Sequence, residues 1–278
     1  MPKILIADSG FTKTDWRIID EGGQINQART AGINPYYQTV DEMRKVIQNL
    51  YFQLPDKVDE IYYYGTGCSS GTNRKKIADI LQHFYTTATI DVNHDLLAAA
   101  RSLCGAEAGI ACIIGTGTNS CLYDGNKITA NVPSLGWAVA DEGGGTYLGK
   151  ILVTDYYRKD MPKHLRQLFK STFELTKDGF LTKMYQEPMP GRFLASFAKF
   201  IGANISDPYM HQLVRTGFET FIVKNIKKYE GHESLPVHFT GSVAFHFSTI
   251  LRNVAADHGL YVKHISEHPI AGLTLFHQ

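Results

Sequence analysis

The stretches Asp8-Ser9-Gly10-Phe11-Thr12-Lys13-Thr14 and Gly115-Thr116-Gly117-Thr118-Asn119-Ser120 decide the fold. Each leaves an apolar strand, Ile4-Leu5-Ile6-Ala7 in the first case and Ile110 to Ile114 in the second, and turns through small residues. Turns of this kind offer backbone N–H groups to an anion, while hydroxyls and Lys13 or Asp8 supply further polar contacts. Neither stretch has the Gly-x-x-x-x-Gly-Lys-Ser/Thr spacing of a P-loop, so another phosphate-binding fold is required.

Outward from these turns, the chain reads as two similar meanders. The first runs through strands ending at Asp8, Ile19 and about Arg29, with turns at Ser9-Gly10 and Glu21-Gly22-Gly23. The second runs through strands 110–114, 120–123 and 127–132, with turns at Gly115-Thr116-Gly117 and Asp124-Gly125-Asn126. Strand–helix alternation follows the first meander: helix 39–52, strand 58–64, helix 73–84, strand 88–92 and helix 95–104. That pattern belongs to α/β architecture, and the two meanders point to duplicated halves. Helices are expected over much of 145–178, 193–201, 211–229 and 243–256, with a strand at Val237 to Thr240. A tail at 262–265 follows, and then Pro269-Ile270-Ala271-Gly272 leads into the short apolar Leu273-Thr274-Leu275-Phe276.

Composition removes several classes of function. Lys and Arg total 28 against 27 for Asp and Glu, and basic residues cluster no further than Arg74-Lys75-Lys76, so no nucleic-acid partner is expected. No apolar run of membrane-spanning length occurs, and the sequence enters a strand without a basic leader, so the expected setting is the cytoplasm with no membrane partner. Cys68, Cys104, Cys112 and Cys121 lack paired close spacings and read as small core residues. The histidines from His211 to His268 do not have metal-ligand spacing.

In order along the chain, these loops resemble the phosphate-one, phosphate-two and adenosine motifs of the actin-like superfamily of sugar kinases, chaperone ATPases and actin. More narrowly, the chain resembles the BadF/BadG/BcrA/BcrD-type ATPases, in the branch that holds N-acetylglucosamine kinases. The first family motif falls on Asp8 to Thr14, with Ser9 in place of the first glycine. The second falls on Gly115 to Ser120, and the adenosine motif on Thr240-Gly241-Ser242-Val243-Ala244. The segment Gly136-Trp137-Ala138-Val139-Ala140-Asp141-Glu142-Gly143-Gly144 resembles a kinase signature in which Ala138 and Ala140 stand where glycines are usual.

The resemblance implies two ribonuclease H-like, actin-like ATPase domains with a nucleotide cleft between them. The first is expected over residues 1–107, with 267–278 a candidate for completing it, and the second over 108–266. The implied cofactors are ATP and Mg²⁺. Asp8 ends a buried strand, where a carboxylate needs a partner, and hydrated magnesium suits it because that ion keeps waters and uses few protein carboxylates. Gly10, Thr12, Lys13, Thr14, Gly115, Thr116, Gly117 and Thr118 are expected at the phosphates, and Gly241 and Ser242 at the nucleoside.

Asp95, at a helix start after strand 88–92, matches the family's general base, since phosphoryl transfer requires a sugar hydroxyl to be oriented and its proton accepted. An N-cap role competes for Asp95, although Asn93 is available as the cap. Asn34, in Gly32-Ile33-Asn34-Pro35, resembles a sugar-contacting turn, and Asn119, Asp141 and Glu142 complete the expected substrate contacts. The implied reaction is ATP-dependent phosphorylation of an amino sugar, N-acetylglucosamine first and glucosamine next, by a homodimer. The alternative is an ATPase that switches the conformation or redox state of a partner protein. The third small-residue loop, Gly65 to Gly71, reads as a close strand–helix turn bordering the cleft.

Overall fold

Both meanders form as strands, and each nucleates its own sheet in a computed structural model that describes residues 1–10, 12–54 and 57–278. Phe11, inside the first glycine turn, lies outside the described residues, as do Pro55 and Asp56. The chain divides into two compact units, one of residues Met1–Ala106 with Pro269–Gln278 and one of Glu107–His268.

In the first unit, β1 (Ile4–Ser9), β2 (Lys13–Ile19) and β3 (Ile25–Ala31) are antiparallel neighbours. β4 (Glu60–Gly65) and β5 (Thr89–His94) add in parallel, giving the order β3-β2-β1-β4-β5. In the second unit, β6 (Ala108–Ile114), β7 (Thr118–Asp124) and β8 (Ile128–Val132) repeat the meander. β9 (Val237–Thr240) and β10 (Val262–Ser266) join in parallel, giving β10-β9-β6-β7-β8. The two orders are the same topology, in which the first strand of each meander lies at the centre.

Alternation on β1 explains why that strand is central. Leu5 and Ala7 face a core shared with Trp16, Ile18, Met43, Ile47, Ile77 and Leu81. Those partners come from α1 (Val40–Gln53) and α2 (Gly71–Phe84) as well as from β2. Ile4 and Ile6 face the other way, against Ile19, Tyr64, Ala98, Ile270 and Leu273. Ala98 belongs to α3 (Asp95–Cys104), and Ile270 and Leu273 to α12 (Ile270–Phe276), so the last helix of the chain covers one face of its first strand. A strand buried on both faces reads as a continuous apolar run, as Ile4-Leu5-Ile6-Ala7 does.

The second unit adds a helical layer: α4 (Gly145–Arg158), α5 (Lys163–Phe173), α6 (Lys177–Tyr185), α7 (Pro190–Ser196), α8 (Ala198–Ala203) and α9 (Pro208–Lys224). After β9 come α10 (Ser242–His246) and α11 (Ser248–Asp257). Two expected helices are therefore each divided. The helix expected over 193–201 breaks at Phe197 and that over 243–256 at Phe247, both buried aromatic side chains packed in the unit's core. The helix expected from His211 begins instead at Pro208. Asp207 caps it by accepting from the Tyr209 N–H at 2.9 Å, and Pro208 takes the first turn, where a missing N–H costs nothing.

The returning α12 is fastened by a polar chain. Arg101 Nη1 donates to the Tyr64 hydroxyl at 2.6 Å, and that hydroxyl lies 2.9 Å from His277 Nε2. The hydroxyl that accepts from Arg101 keeps its own hydrogen, which a neutral imidazole can accept. The His277 ring also stacks on Tyr62 at 3.8 Å. Burial, followed by the charge of Arg101, holds His277 down at about 4.

The sign of the pH effect follows. Below the ordinary value of 6.5 the unfolded chain takes up a proton that the folded chain refuses, so stability falls as pH drops from 6.5 toward 4. Allowing for solvent screening of this half-buried ring, the loss is about 2 kcal/mol. Thermal unfolding measured across that range should show the midpoint declining with pH, and His277→Phe should flatten part of the slope.

Candidate active site

Three parallel strands of the first unit end in line. Their register pairs Asp8 with Tyr64, Ser9 with Gly65, and Gly65 with His94. In open α/β sheets ligands collect beyond such carboxyl ends, and here those ends carry Asp8, Thr66 and Asp95. Burial first, then the charges of Asp15 and Asp95, push the Asp8 carboxyl up to about 7 against the opposing pull of Lys13. Asp95 is also raised, chiefly by burial, although His94, the Leu96 N–H and the Thr66 side chain favour its charged form.

Asp95 is the first residue of α3, and the capping role falls elsewhere. His94 Nδ1 accepts from the Leu97 N–H at 3.3 Å, and burial lowers the pKa of that imidazole, favouring the neutral ring an acceptor requires. Asn93, the cap expected from sequence, instead donates its amide to Asp91 at 2.8 Å. The nearby His94 is thus committed to the helix.

The first glycine turn is a hairpin closed by Gly10 N–H donating to Lys13 O at 3.0 Å. Gly10 and Thr12 are exposed. Lys13 Nζ pairs with Asp15 at 3.0 Å, and Arg29 Nε joins the same carboxylate at 2.7 Å. These bonds hold Asp15 below the usual carboxylate range in spite of burial. Thr14 is also expected at the phosphates. Its side chain is fully buried, 2.8 Å from Ser9 Oγ and donating to Ala31 O at 3.2 Å, so the hydroxyl serves the hairpin. Ser9, where the family pattern has glycine, accepts from the Ile33 N–H at 3.2 Å and so ties this hairpin to the Gly32–Asn34 turn.

Asn34 is buried, and its Oδ1 accepts from the Tyr36 N–H at 3.0 Å in an Asx turn. The turn presses on Gly67, where φ is +79° and an added Cβ would lie 2.7 Å from Asn34 Oδ1. Asn34, Thr66 and Asp95 therefore occupy one neighbourhood of the first unit.

In the second unit the Gly115 loop meets the start of α4. Gly145 N–H donates to Gly115 O at 2.8 Å and Thr146 N–H to Thr116 O at 2.9 Å. Asp141 is buried, and its Oδ1 accepts from the Thr118 N–H at 3.0 Å. The Asp141 backbone adopts φ 65°, a left-handed conformation costing about 1 kcal/mol for a residue with a Cβ, which that hydrogen bond helps to offset. Burial raises its pKa, with Glu142 adding to the effect and the Thr118 N–H opposing it. Gly117 is indispensable to this packing, since a Cβ there would lie 2.6 Å from Asp141 Oδ2.

Glu142 pairs with Lys224 at 3.1 Å. The side-chain oxygen of Asn119 accepts from the Ser120 N–H at 2.9 Å and from Asn131 Nδ2 at 3.0 Å. Trp137 packs where a Cβ on Gly191 would fall, 3.1 Å from its indole ring.

The adenosine motif touches the same loop. Gly241 has φ +114° and lies so close to β6 that a Cβ would stand 2.4 Å from Ile114 O. Together Gly115, Thr116, Gly145, Ser242 and Val243 wall a cavity of about 490 Å³. Its far side comes from α7, α8 and α10, through Ala195, Ala198, Lys199, Gly202, His246 and Phe247, none of which the sequence reading singled out. Ala195 on α7 and Ala198 and Gly202 on α8 are small residues that leave room at this wall. Thr66 was read only as part of a turn bordering the cleft, because its place beside Asp95 depends on register between strands.

No protein-family model matches the chain, and no curated protein matches it. Among solved structures, a candidate N-acetylglucosamine kinase from Porphyromonas gingivalis is 38% identical, covers 99% of this chain and 98% of its own, and superposes with a TM-score of 0.94. A second candidate N-acetylglucosamine kinase, from Chromobacterium violaceum, is 15% identical over 100% of this chain and 99% of its own, with a TM-score of 0.79. A ROK hexokinase from Thermus thermophilus, 14% identical over 99% of this chain and 97% of its own, has a TM-score of 0.52. The last two are likenesses of fold.

Gly241→Ala would force both a strained φ and a clash with the Ile114 carbonyl. The expected result is a loss of about 2 kcal/mol or more in denaturant unfolding, together with loss of nucleotide binding measured by calorimetry.

Proposed function

From the premise that the chain belongs to the N-acetylglucosamine kinase-like branch of the BadF/BadG/BcrA/BcrD-type ATPases, we propose that it transfers the γ-phosphoryl group of ATP to a hydroxyl of an amino sugar. N-acetylglucosamine is the first candidate acceptor and glucosamine the second. The observation that carries this reading is the placement of Asp8 and Asp95 at the ends of strands in one sheet, each with its carboxyl pushed up by burial. A carboxylate of raised pKa is suited to accept a proton from an alcohol.

In this reading the second unit holds the nucleoside in the cavity beside Ser242 and Val243, and the loop Gly115 to Thr118 meets the phosphates, with the N–H groups of Thr116 and Gly117 toward them while those of Gly115 and Thr118 hold the loop through Gly117 O and Asp141. Gly10, Thr12 and Lys13 of the first unit provide further phosphate contacts, Lys13 by leaving Asp15. Asp95 orients the sugar hydroxyl and takes its proton as the oxygen bonds to phosphorus. Asn34 meets the sugar through its amide, while Asn119, Asp141 and Glu142 line the acceptor side or hold the loop that does. Thr14 contributes through the rigidity of its hairpin.

Among the described residues no group of three or more His, Cys, Asp or Glu side chains forms a metal cage. Magnesium fits Asp8 nonetheless, because that ion retains its waters and takes one or two carboxylates, and a cation relieves the crowding of Asp8 by Asp15 and Asp95. When bound, it would neutralise charge on the transferring phosphoryl group. Among the described residues no helix is long and apolar enough to cross a membrane. Among the described residues the four cysteines are buried and form no disulfide, which suits a reducing cytoplasm. A homodimer completes the reading on family likeness.

The test is a coupled assay of ADP release over N-acetylglucosamine, glucosamine, N-acetylmuramic acid, N-acetylmannosamine and glucose. Turnover should be highest with N-acetylglucosamine, and a protein that consumes ATP equally with none of them present is not a sugar kinase. Asp95→Asn should lower kcat by about 10²-fold or more while the KM for ATP changes little.

A pH effect follows from Asp8. Below about 7 its carboxyl is protonated in the free protein and must lose that proton to carry charge. The kcat/KM for magnesium-ATP should therefore rise with pH up to about 7 and then level off, and Asp8→Asn should abolish most activity at every pH.

A further inference from the structure

The turn after β4 touches three parts of the candidate acceptor site at once. Thr66 N–H donates to Ser9 O at 2.9 Å, so the turn is pinned to the end of β1, one residue beyond Asp8. Its start is fixed by Gly65, where a Cβ would lie 2.6 Å from the Tyr63 ring. Gly67 presses on Asn34, and Asn73 Nδ2 donates to Gly67 O at 2.9 Å, holding the turn from the side of α2. The pairing of Gly65 with His94 sets Thr66 beside the first residue of α3, and the Thr66 side chain favours the charged form of Asp95.

We propose that Thr66 is the positioning residue for Asp95, its hydroxyl donating to one carboxylate oxygen so that the other is turned toward the acceptor alcohol. This deepens the kinase reading and rests on it. A carboxylate on a single rotatable stem needs a second anchor to present one lone pair reproducibly. The backbone N–H of Leu96 supplies one anchor and the Thr66 hydroxyl the other. The hydroxyl is placed by a backbone bonded to Ser9, so the orientation of the proton acceptor is locked to the strand that carries Asp8. Valine at 66 would keep the shape and the backbone bond while removing only the donor.

The experiment compares wild type, Thr66→Val and Thr66→Ser. With N-acetylglucosamine as acceptor, Thr66→Val should reduce kcat by about 10-fold or more with the KM for ATP within about twofold, and Thr66→Ser should recover most of the loss. Equal kcat in wild type and Thr66→Val, or equal losses in Val and Ser, overturns the proposal. Crystal structures of the same three proteins give a readout independent of turnover. The Asp95 carboxylate should rotate away from its wild-type orientation in Thr66→Val and not in Thr66→Ser, and an unmoved carboxylate in Thr66→Val overturns the proposal. If wild type phosphorylates no sugar, the kinase reading fails by that result alone, and the structures still decide whether Thr66 orients Asp95.

Discussion

Crowding of negative charge at the end of the first sheet is the constraint on which the site depends. Asp8, Asp15 and Asp95 repel one another in a partly dehydrated place, where each charge is costly. Two of the three are compensated by the chain itself. Lys13 and Arg29 neutralise Asp15, and Asp95 is steadied by the Leu96 N–H and Thr66. Asp8 has Lys13 in opposition, and burial first, then the two neighbouring charges, raises its carboxyl. A fold optimised for stability alone has little reason to keep this arrangement, which marks the sheet end as a candidate functional site.

The second unit is built by other means. It brings backbone close to backbone: Gly241 against Ile114, Gly144 and Gly145 against the Gly115 loop, Gly117 against Asp141. Each approach excludes a Cβ. One wall of the cavity, at Gly115, Thr116, Gly145 and Ser242, is consequently made of main chain and small side chains, facing Lys199, His246 and Phe247 on the other side. The first unit, in contrast, works through side chains of definite charge. One topology, used twice, thus carries two different chemistries.

Much of this was legible in the sequence. Apolar runs ending in glycine turns gave both meanders, and Asp8, Asp95 and the two glycine loops stand out because small residues and carboxylates at strand ends have few structural reasons to recur. What could not be read depends on contacts between distant segments. The hydroxyl of Thr14 looks available in a motif and is buried because Ser9 on β1 and the Ala31 carbonyl on β3 both engage it. His94 rather than Asn93 caps α3, a choice made by side-chain direction. The breaks at Phe197 and Phe247 follow from how those rings enter the core, where tertiary packing overrides helical periodicity.

The return of α12 to the first unit bears on how the protein is made. Ile4 and Ile6 are synthesised long before Ile270 and Leu273, which cover them. Until α12 has been made, the outer face of β1 is covered only in part, by α3, so this unit waits, partly assembled and adhesive, while the other is synthesised. Loss of α12 would then damage the strand at the far end of its own unit's sequence.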